Sequence, residues 1–215
     1  QQQGLEQTLP LLRGEFAFAL FDRQQDCLYL VRDRFGVKPQ YWAMTRDGLV
    51  FGSELKVLFA HPAVERRFTS AGLFHQLMQT MVPGTTAFAG VHQVKPGHVL
   101  KVQRGNGGLE VSEWAYWDVN FPRQADRDRN LDEAHHIASV RSALLEAVEL
   151  RMVADVPVGC YLSGGIDSCS ILGLASAVSQ SPVKAFTIGF DDVRYDESPI
   201  CLLYTSPSPR DLAQS

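Results

Sequence analysis

Six residues, Ser163-Gly164-Gly165-Ile166-Asp167-Ser168, join a short apolar run, Val156 to Leu162, to a helix-patterned stretch from Ser168 to about Ser179. The run has the length and bounding turns of a buried strand. A glycine loop between such a strand and a helix aims backbone N–H groups from the positive end of the helix dipole, which makes an anion site. Gly164 and Gly165 let phosphate oxygens approach the main chain with no Cβ in the way, and Ser163 and Ser168 supply hydroxyl donors. Asp167 alone would repel phosphates. It fits if magnesium stands between, because Mg²⁺ takes one or two carboxylates together with phosphate oxygens. Other loops match less well. There is no lysine for a Walker pattern, no GxGxxG for a dinucleotide fingerprint, and the serines flank the glycines rather than dividing them as a nucleophile elbow requires. The bland alternative is a tight turn with two capping serines; the strand before, the helix after and Asp167 argue against it.

The surroundings support a parallel α/β reading. Asp132 can cap a long helix that sets Ile137, Val140, Leu144, Leu145, Val148 and Met152 at helical spacing, and Lys184 to Phe190 reads as a second buried strand. Helix, strand, loop, helix, strand is how a parallel sheet begins. The upstream half has a different period. Glu15–Phe21 and Cys27–Val31 form one expected hairpin, and Tyr41–Thr45 and Leu49–Phe51 form another through Asp47-Gly48. Their natural assembly is an antiparallel meander packed against another layer. Glu54–Ala60 predicts a short helix. Ser70 predicts the cap of a second, running to about Thr80, with Leu73, Phe74, Leu77, Met78 and Met81 on one face. Residues 82–120 return to strand and turn. The charged stretch 121–130 (FPRQADRDRN) reads as a linker, so the expected units are 1–120 and 131–199.

Composition excludes some functions. At 215 residues, 45% hydrophobic and 20% charged with a net charge of −4, the chain has globular composition and no basic footprint for nucleic acid. No apolar run approaches the roughly 18 residues of a membrane span, and no basic-then-apolar leader is present, so no membrane partner and a cytoplasmic setting are expected. Cys27, Cys160, Cys169 and Cys201 form no CxxC pair, which predicts reduced, mostly buried thiols rather than zinc or disulfides. Residues 200–215 (ICLLYTSPSPRDLAQS) break with what precedes them. As written they form a Pro-rich tail suited to a partner groove. They also resemble the translated read-through of a sequencing adapter, and that is the expectation adopted.

Taken together the motifs resemble glutamine-hydrolysing asparagine synthetases. Val156-Pro157-Val158-Gly159 followed by Leu162 to Ser168 resembles that family's ATP-pyrophosphatase loop. Arg13 to Asp22, Arg32-Asp33-Arg34-Phe35-Gly36-Val37-Lys38-Pro39, Gly52-Ser53-Glu54-Leu55-Lys56, Pro96-Gly97-His98 and Tyr116-Trp117 resemble, in the same order, the back half of its glutaminase domain. The resemblance implies an α/β and α+β architecture. A partial N-terminal-nucleophile glutaminase-type sandwich would be followed by a partial parallel α/β domain like the adenine-nucleotide α-hydrolases. It further implies a ligase that adenylates aspartate with ATP and Mg²⁺ and lets glutamine-derived ammonia displace AMP, yielding asparagine and pyrophosphate. A related amidotransferase acting on another carboxylate, such as a surface polysaccharide, and a non-catalytic binding module are the alternatives. The residues implied for ATP are Leu162, Ser163, Gly164, Gly165, Ile166, Asp167, Ser168 and Ile188, with Asp167 on magnesium. ATP, aspartate and glutamine are the implied small-molecule partners, and a homodimer is the assembly to look for.

The family's first-residue cysteine nucleophile has no counterpart, and the chain starts Gln1-Gln2-Gln3. The expectation is therefore the middle of a longer enzyme, inactive by itself in both glutamine hydrolysis and asparagine formation. The remaining polar residues read as structural. Arg32-Asp33 is expected as a buried ion pair, His98 follows a turn without a metal companion, His135-His136 lies on a solvated helix start, and Tyr116-Trp117 pack at the domain junction.

Overall fold

A computed structural model describes residues 4–80, 82–126, 132–192, 194–199 and 201. The chain divides into two units, Gln1–Phe121 and Pro122–Ser215. Part of the expected linker, residues 127–130, and all of residues 200–215 except Cys201 lie outside the described residues.

In the first unit a helical turn, α1 (Leu5–Thr8), leads to the buried Leu9. Strands β1 (Ala17–Asp22) and β2 (Cys27–Arg32) then pair as a hairpin. Asp22 makes the turn: its Oδ1 accepts the N–H groups of Gln24 at 2.8 Å and Gln25 at 3.2 Å. β3 (Tyr41–Thr45) and β4 (Gly48–Gly52) form the second hairpin. Its two turn residues are Arg46 and Asp47, with Gly48 opening β4 at φ +134°. That is one residue earlier than Asp47-Gly48 predicts, because Thr45 Oγ1 accepts the Asp47 N–H and donates to the Gly48 carbonyl.

After β4 come α2 (Leu55–Leu58), α3 (Ser70–Leu77), β5 (Val91–Gln93), β6 (His98–Gly105) and β7 (Gly108–Ala115). The strands form two antiparallel sheets, β1-β2-β6-β7 and β4-β3-β5, not one meander. The reason lies in β2, whose alternate residues are claimed by different neighbours. Tyr29 and Val31 join Leu9 and Val99 on one face; Leu28 and Leu30 join Val94, Leu100 and Val102 on the other, with Trp42 and Leu49 packed against them. Trp42 and Leu49 come from β3 and β4, so the second hairpin is layered on the first instead of extending it. The covering layer expected from the apolar pattern is therefore the second sheet.

α3 departs from its prediction. Its cap is Thr69, whose Oγ1 accepts the Gly72 N–H at 3.0 Å, and it ends at Leu77. Leu73, Phe74, Leu77 and Met78 are all exposed, so helical spacing of apolar side chains does not mark a buried face here; Met81 lies outside the described residues.

The second unit follows the predicted order: α4 (Glu133–Arg151), β8 (Gly159–Tyr161), α5 (Ile166–Val178) and β9 (Lys184–Phe186). Asp132 caps α4, accepting the His135 N–H at 2.7 Å. Asp132→Ala is expected to lower stability by about 1 kcal/mol, the usual worth of such a cap, while Asp132→Ser restores it; urea unfolding followed by far-UV circular dichroism reads both. β8 and β9 pair in parallel, Gly159 with Lys184 and Tyr161 with Phe186. β9 stops four residues before the predicted Phe190 because its partner strand ends at Tyr161 and leaves no further ladder. The α4 stripe is mostly exposed, with Val148 the one buried residue on the helix.

Candidate functional site

The loop leaves the sheet where the two parallel strands end. Leu162, 2% exposed, donates its N–H to the Phe186 carbonyl at 2.9 Å, one step beyond the β8–β9 ladder. The next residues turn outward. Gly164 has φ +73° and Gly165 is extended, serving as N-cap of α5. The left-handed conformation at 164 is one that a side chain other than Asn or Asp adopts only at a cost of roughly 1–2 kcal/mol. Among the described residues no side chain caps α5, so its first-turn N–H groups keep the free donor capacity that an anion uses.

Hydrogen bonding within the loop is local. Ser168 Oγ donates to the Gly165 carbonyl at 3.0 Å and accepts the Ser163 N–H at 3.2 Å. It also lies 3.1 Å from Ser163 Oγ. A hydroxyl carries one hydrogen; with that of Ser168 given to Gly165, the hydrogen between the two hydroxyls belongs to Ser163. Both serine hydrogens are thus engaged inside the loop, and the groups left to meet a ligand are backbone N–H groups. α5 begins two residues earlier than its predicted start at Ser168, which places Ile166, Asp167 and Ser168 in the first helical turn. Asp167 is exposed there, where a negative charge is favoured by the dipole. Among the described residues no group of three His, Cys, Asp or Glu side chains is placed to hold a metal. A single carboxylate nevertheless suits Mg²⁺ that takes its other ligands from phosphates and water.

Leu162 through Ser168 are thus brought together by chain continuity. Ile188 is exposed, two residues past the end of β9, on the same carboxyl edge of the parallel pair as Leu162, the edge at which open α/β sheets bind ligands. Between them stands Thr187, whose Oγ1 donates to the Leu162 carbonyl at 2.9 Å. Sequence pattern does not single out Thr187, since its role depends on the register between two strands. Cys201, in the tract set apart in the sequence, places its Sγ 3.5 Å from the same carbonyl. None of the four cysteines is in a disulfide; Cys27 and Cys201 are buried, Cys160 and Cys169 partly so.

In the first unit, Arg32 and Asp33 are 6% and 1% exposed, but they grip backbone rather than each other. Asp33 accepts the N–H groups of Phe35, Val37, Lys38 and Phe16 at 3.2, 2.9, 2.9 and 3.3 Å. The Arg32 guanidinium donates to the carbonyls of Lys38, Val94 and Gly36 at 2.9, 2.7 and 2.6 Å. Burial lowers the Arg32 pKa from its ordinary value, opposed by the nearby Asp33. Tyr116 donates its hydroxyl to the Arg32 carbonyl at 2.8 Å, and Trp117 packs on Phe35 with ring centroids 5.0 Å apart. These aromatics lock the loop from Arg32 to Pro39 inside their own unit. His98 Nδ1 lies 2.7 Å from the Pro96 carbonyl, and His135 and His136 are exposed.

Two family models match in succession: a glutamine amidotransferase domain over residues 1–117 and asparagine synthase over residues 139–204. The chain belongs to the glutamine-hydrolysing asparagine synthetase family. It is 34% identical over 193 residues to glutamine-hydrolysing asparagine synthetase 3 of Bacillus subtilis, covering 87% of this chain and 30% of that protein. It is 37% identical over 203 residues to amidase chyE of Penicillium rubens, covering 88% and 29%. Against the glutamine-hydrolysing asparagine synthetase of Homo sapiens it is 31% identical over 204 residues, covering 88% and 33%. The chain therefore spans about a third of the length of these relatives. No helix among the described residues is long and apolar enough to cross a membrane.

Proposed function

We propose that the protein carrying this chain is a cytoplasmic, glutamine-dependent amidotransferase whose second unit activates the side-chain carboxylate of aspartate with ATP. Glutamine-derived ammonia then forms asparagine, with AMP and pyrophosphate released. The observation that carries this reading is the order of the two family matches, with Ser163–Ser168 inside the second. A carboxylate is a poor electrophile until one oxygen becomes a good leaving group, and transfer of AMP to that oxygen supplies one. In that transfer the carboxylate oxygen bonds to the α-phosphorus as the bond from that phosphorus to the bridging oxygen breaks, so charge develops on the departing pyrophosphate. Backbone N–H groups of Gly164 to Ser168 are fixed in advance at the uncapped start of α5, so they stabilise that charge with little reorganisation. Leu162 and Ile188 border the nucleotide from the strand ends. Asp167 would hold Mg²⁺, which when bound neutralises phosphate charge.

One observation favours a second acceptor class. Identity to two amidases, 37% for that of Penicillium rubens and 38% for chry2 of Gibberella zeae, exceeds the 34% to the first Bacillus subtilis synthetase. The alternative is the same loop chemistry directed at a carboxylate other than aspartate. The deciding assay supplies the whole protein with ATP, Mg²⁺ and glutamine and measures AMP and pyrophosphate with and without aspartate. Release that depends on aspartate, with asparagine in equal amount, is expected. Release that requires a different carboxylate establishes the second reading, and no AMP with any carboxylate sinks both. In the same assay Asp167→Ala is expected to raise the Mg²⁺ concentration for half-maximal rate by roughly tenfold or more, as disturbing a metal's ligand shell does.

A further inference from the structure

We infer that Thr187 is a positioning residue for the nucleotide loop, an inference that rests on the reading of Ser163–Ser168 as the pyrophosphate cradle. The loop has two ends. Its far end is anchored in α5, through Ser168 and the Cys169 N–H bond to the Gly165 carbonyl at 3.1 Å. Its near end is Leu162, the last residue before the chain turns outward. The backbone ladder holds Leu162 by one bond, from its N–H to the Phe186 carbonyl. β8 and β9 have ended at Tyr161 and Phe186, so the Leu162 carbonyl receives no strand N–H from the ladder.

Thr187 fills that role with its side chain. Its hydroxyl donates to the Leu162 carbonyl at 2.9 Å across 25 residues of sequence, continuing the pairing one step past the last ladder bond. Among the described residues the other donor to this oxygen, Cys201 Sγ at 3.5 Å, is a thiol and a weak one. Leu162 is therefore tied on both sides, N–H to Phe186 and carbonyl to Thr187, directly before Ser163. Releasing the carbonyl frees the peptide plane that leads into Ser163 and lets the cradle's first N–H groups drift from the second strand. Thr187 makes no contact with the nucleotide in this scheme; it acts through Leu162.

The test uses the whole protein with Thr187→Val, which keeps the shape and removes the donor, and Thr187→Ser, which keeps the donor. Without nucleotide, amide hydrogen exchange of residues 162–168 is expected to rise about fivefold to tenfold in the Val variant, the loss typical of one hydrogen bond, and to return in the Ser variant. KM for ATP is expected to rise by a similar factor in the Val variant while KM for glutamine stays put, with the Ser variant near wild type. Unchanged loop exchange in the Val variant overturns the proposal, and so does raised exchange with an unmoved KM for ATP. If the Val variant does not fold, Thr187→Ala takes its place, and an Ala variant indistinguishable from Ser overturns it equally. A wild-type protein without ATP-dependent pyrophosphate release defeats the functional reading instead, and the exchange comparison then decides the brace.

Discussion

Asp33→Ala is expected to cost the first unit about 3–5 kcal/mol, the largest stability loss of any single change considered for this chain. The side chain is 1% exposed and its two oxygens accept four backbone N–H groups, two of them at 2.9 Å. Alanine leaves those part-buried donors without their acceptor, and about 1–3 kcal/mol is the cost of each such orphan where water is fully excluded. The two contacts beyond 3.1 Å are weaker, which keeps the total below four full penalties. Because whole domains are stable by only about 5–15 kcal/mol, this one carboxylate decides whether the unit stays folded at moderate temperature. Asp33→Asn is expected to recover part of the loss, since the amide keeps one acceptor oxygen but turns a donor toward N–H groups. Urea unfolding reads the outcome as a shifted midpoint at constant slope. An Asp33→Ala midpoint equal to wild type would mean that the Arg32–Pro39 loop holds itself without the carboxylate.

That loop also shows where sequence reasoning stops. Adjacent opposite charges in an apolar setting predict an ion pair, and Arg32 and Asp33 are indeed buried. Their partners, however, are carbonyls and N–H groups of residues 16, 35–38 and 94, which only the folded loop brings near. Local signals carried further. Tyr41–Thr45 is a strand as predicted, and Asp132 caps α4 as predicted, because strand patterning and caps are written within a few residues. The pairing of β2 with β6 rather than with the next hairpin depends on which faces of β2 are covered, information spread over the whole unit. Helical spacing puts Leu73, Phe74 and Leu77 of α3 on one face, and Phe74 and Leu77 are exposed there; spacing gives a face, not what lies against it. The shape of the loop was the most legible part, since Ser163 to Ser168 are contiguous and the left-handed glycine and the helix start both lie within them. Thr187 was not, because a bond across 25 residues depends on parallel register.

The largest effect on activity is expected at Gly164, and three substitutions separate the reasons. The residue sits at φ +73°. Alanine there is strained by roughly 1–2 kcal/mol, and a β-branched valine by more. Asparagine enters the left-handed region readily. If conformation alone matters, Gly164→Asn keeps nearly full activity while Gly164→Ala loses about tenfold and Gly164→Val more. If the missing Cβ also matters because phosphate oxygens must reach the backbone, asparagine suffers as well. The second pattern is expected: all three variants of the whole protein lose ATP-dependent pyrophosphate release by about 10²-fold or more, the scale seen when a preorganised donor is withdrawn from developing charge. Glutamine hydrolysis measured alone is expected to stay within about twofold of wild type, because Gly164 lies in the second unit while the glutamine amidotransferase match covers residues 1–117. The asparagine variant is the decisive one. Near-wild-type pyrophosphate release from Gly164→Asn would show that the loop tolerates a side chain where the phosphates are proposed to sit, and the cradle would then have to be sought elsewhere along the strand ends.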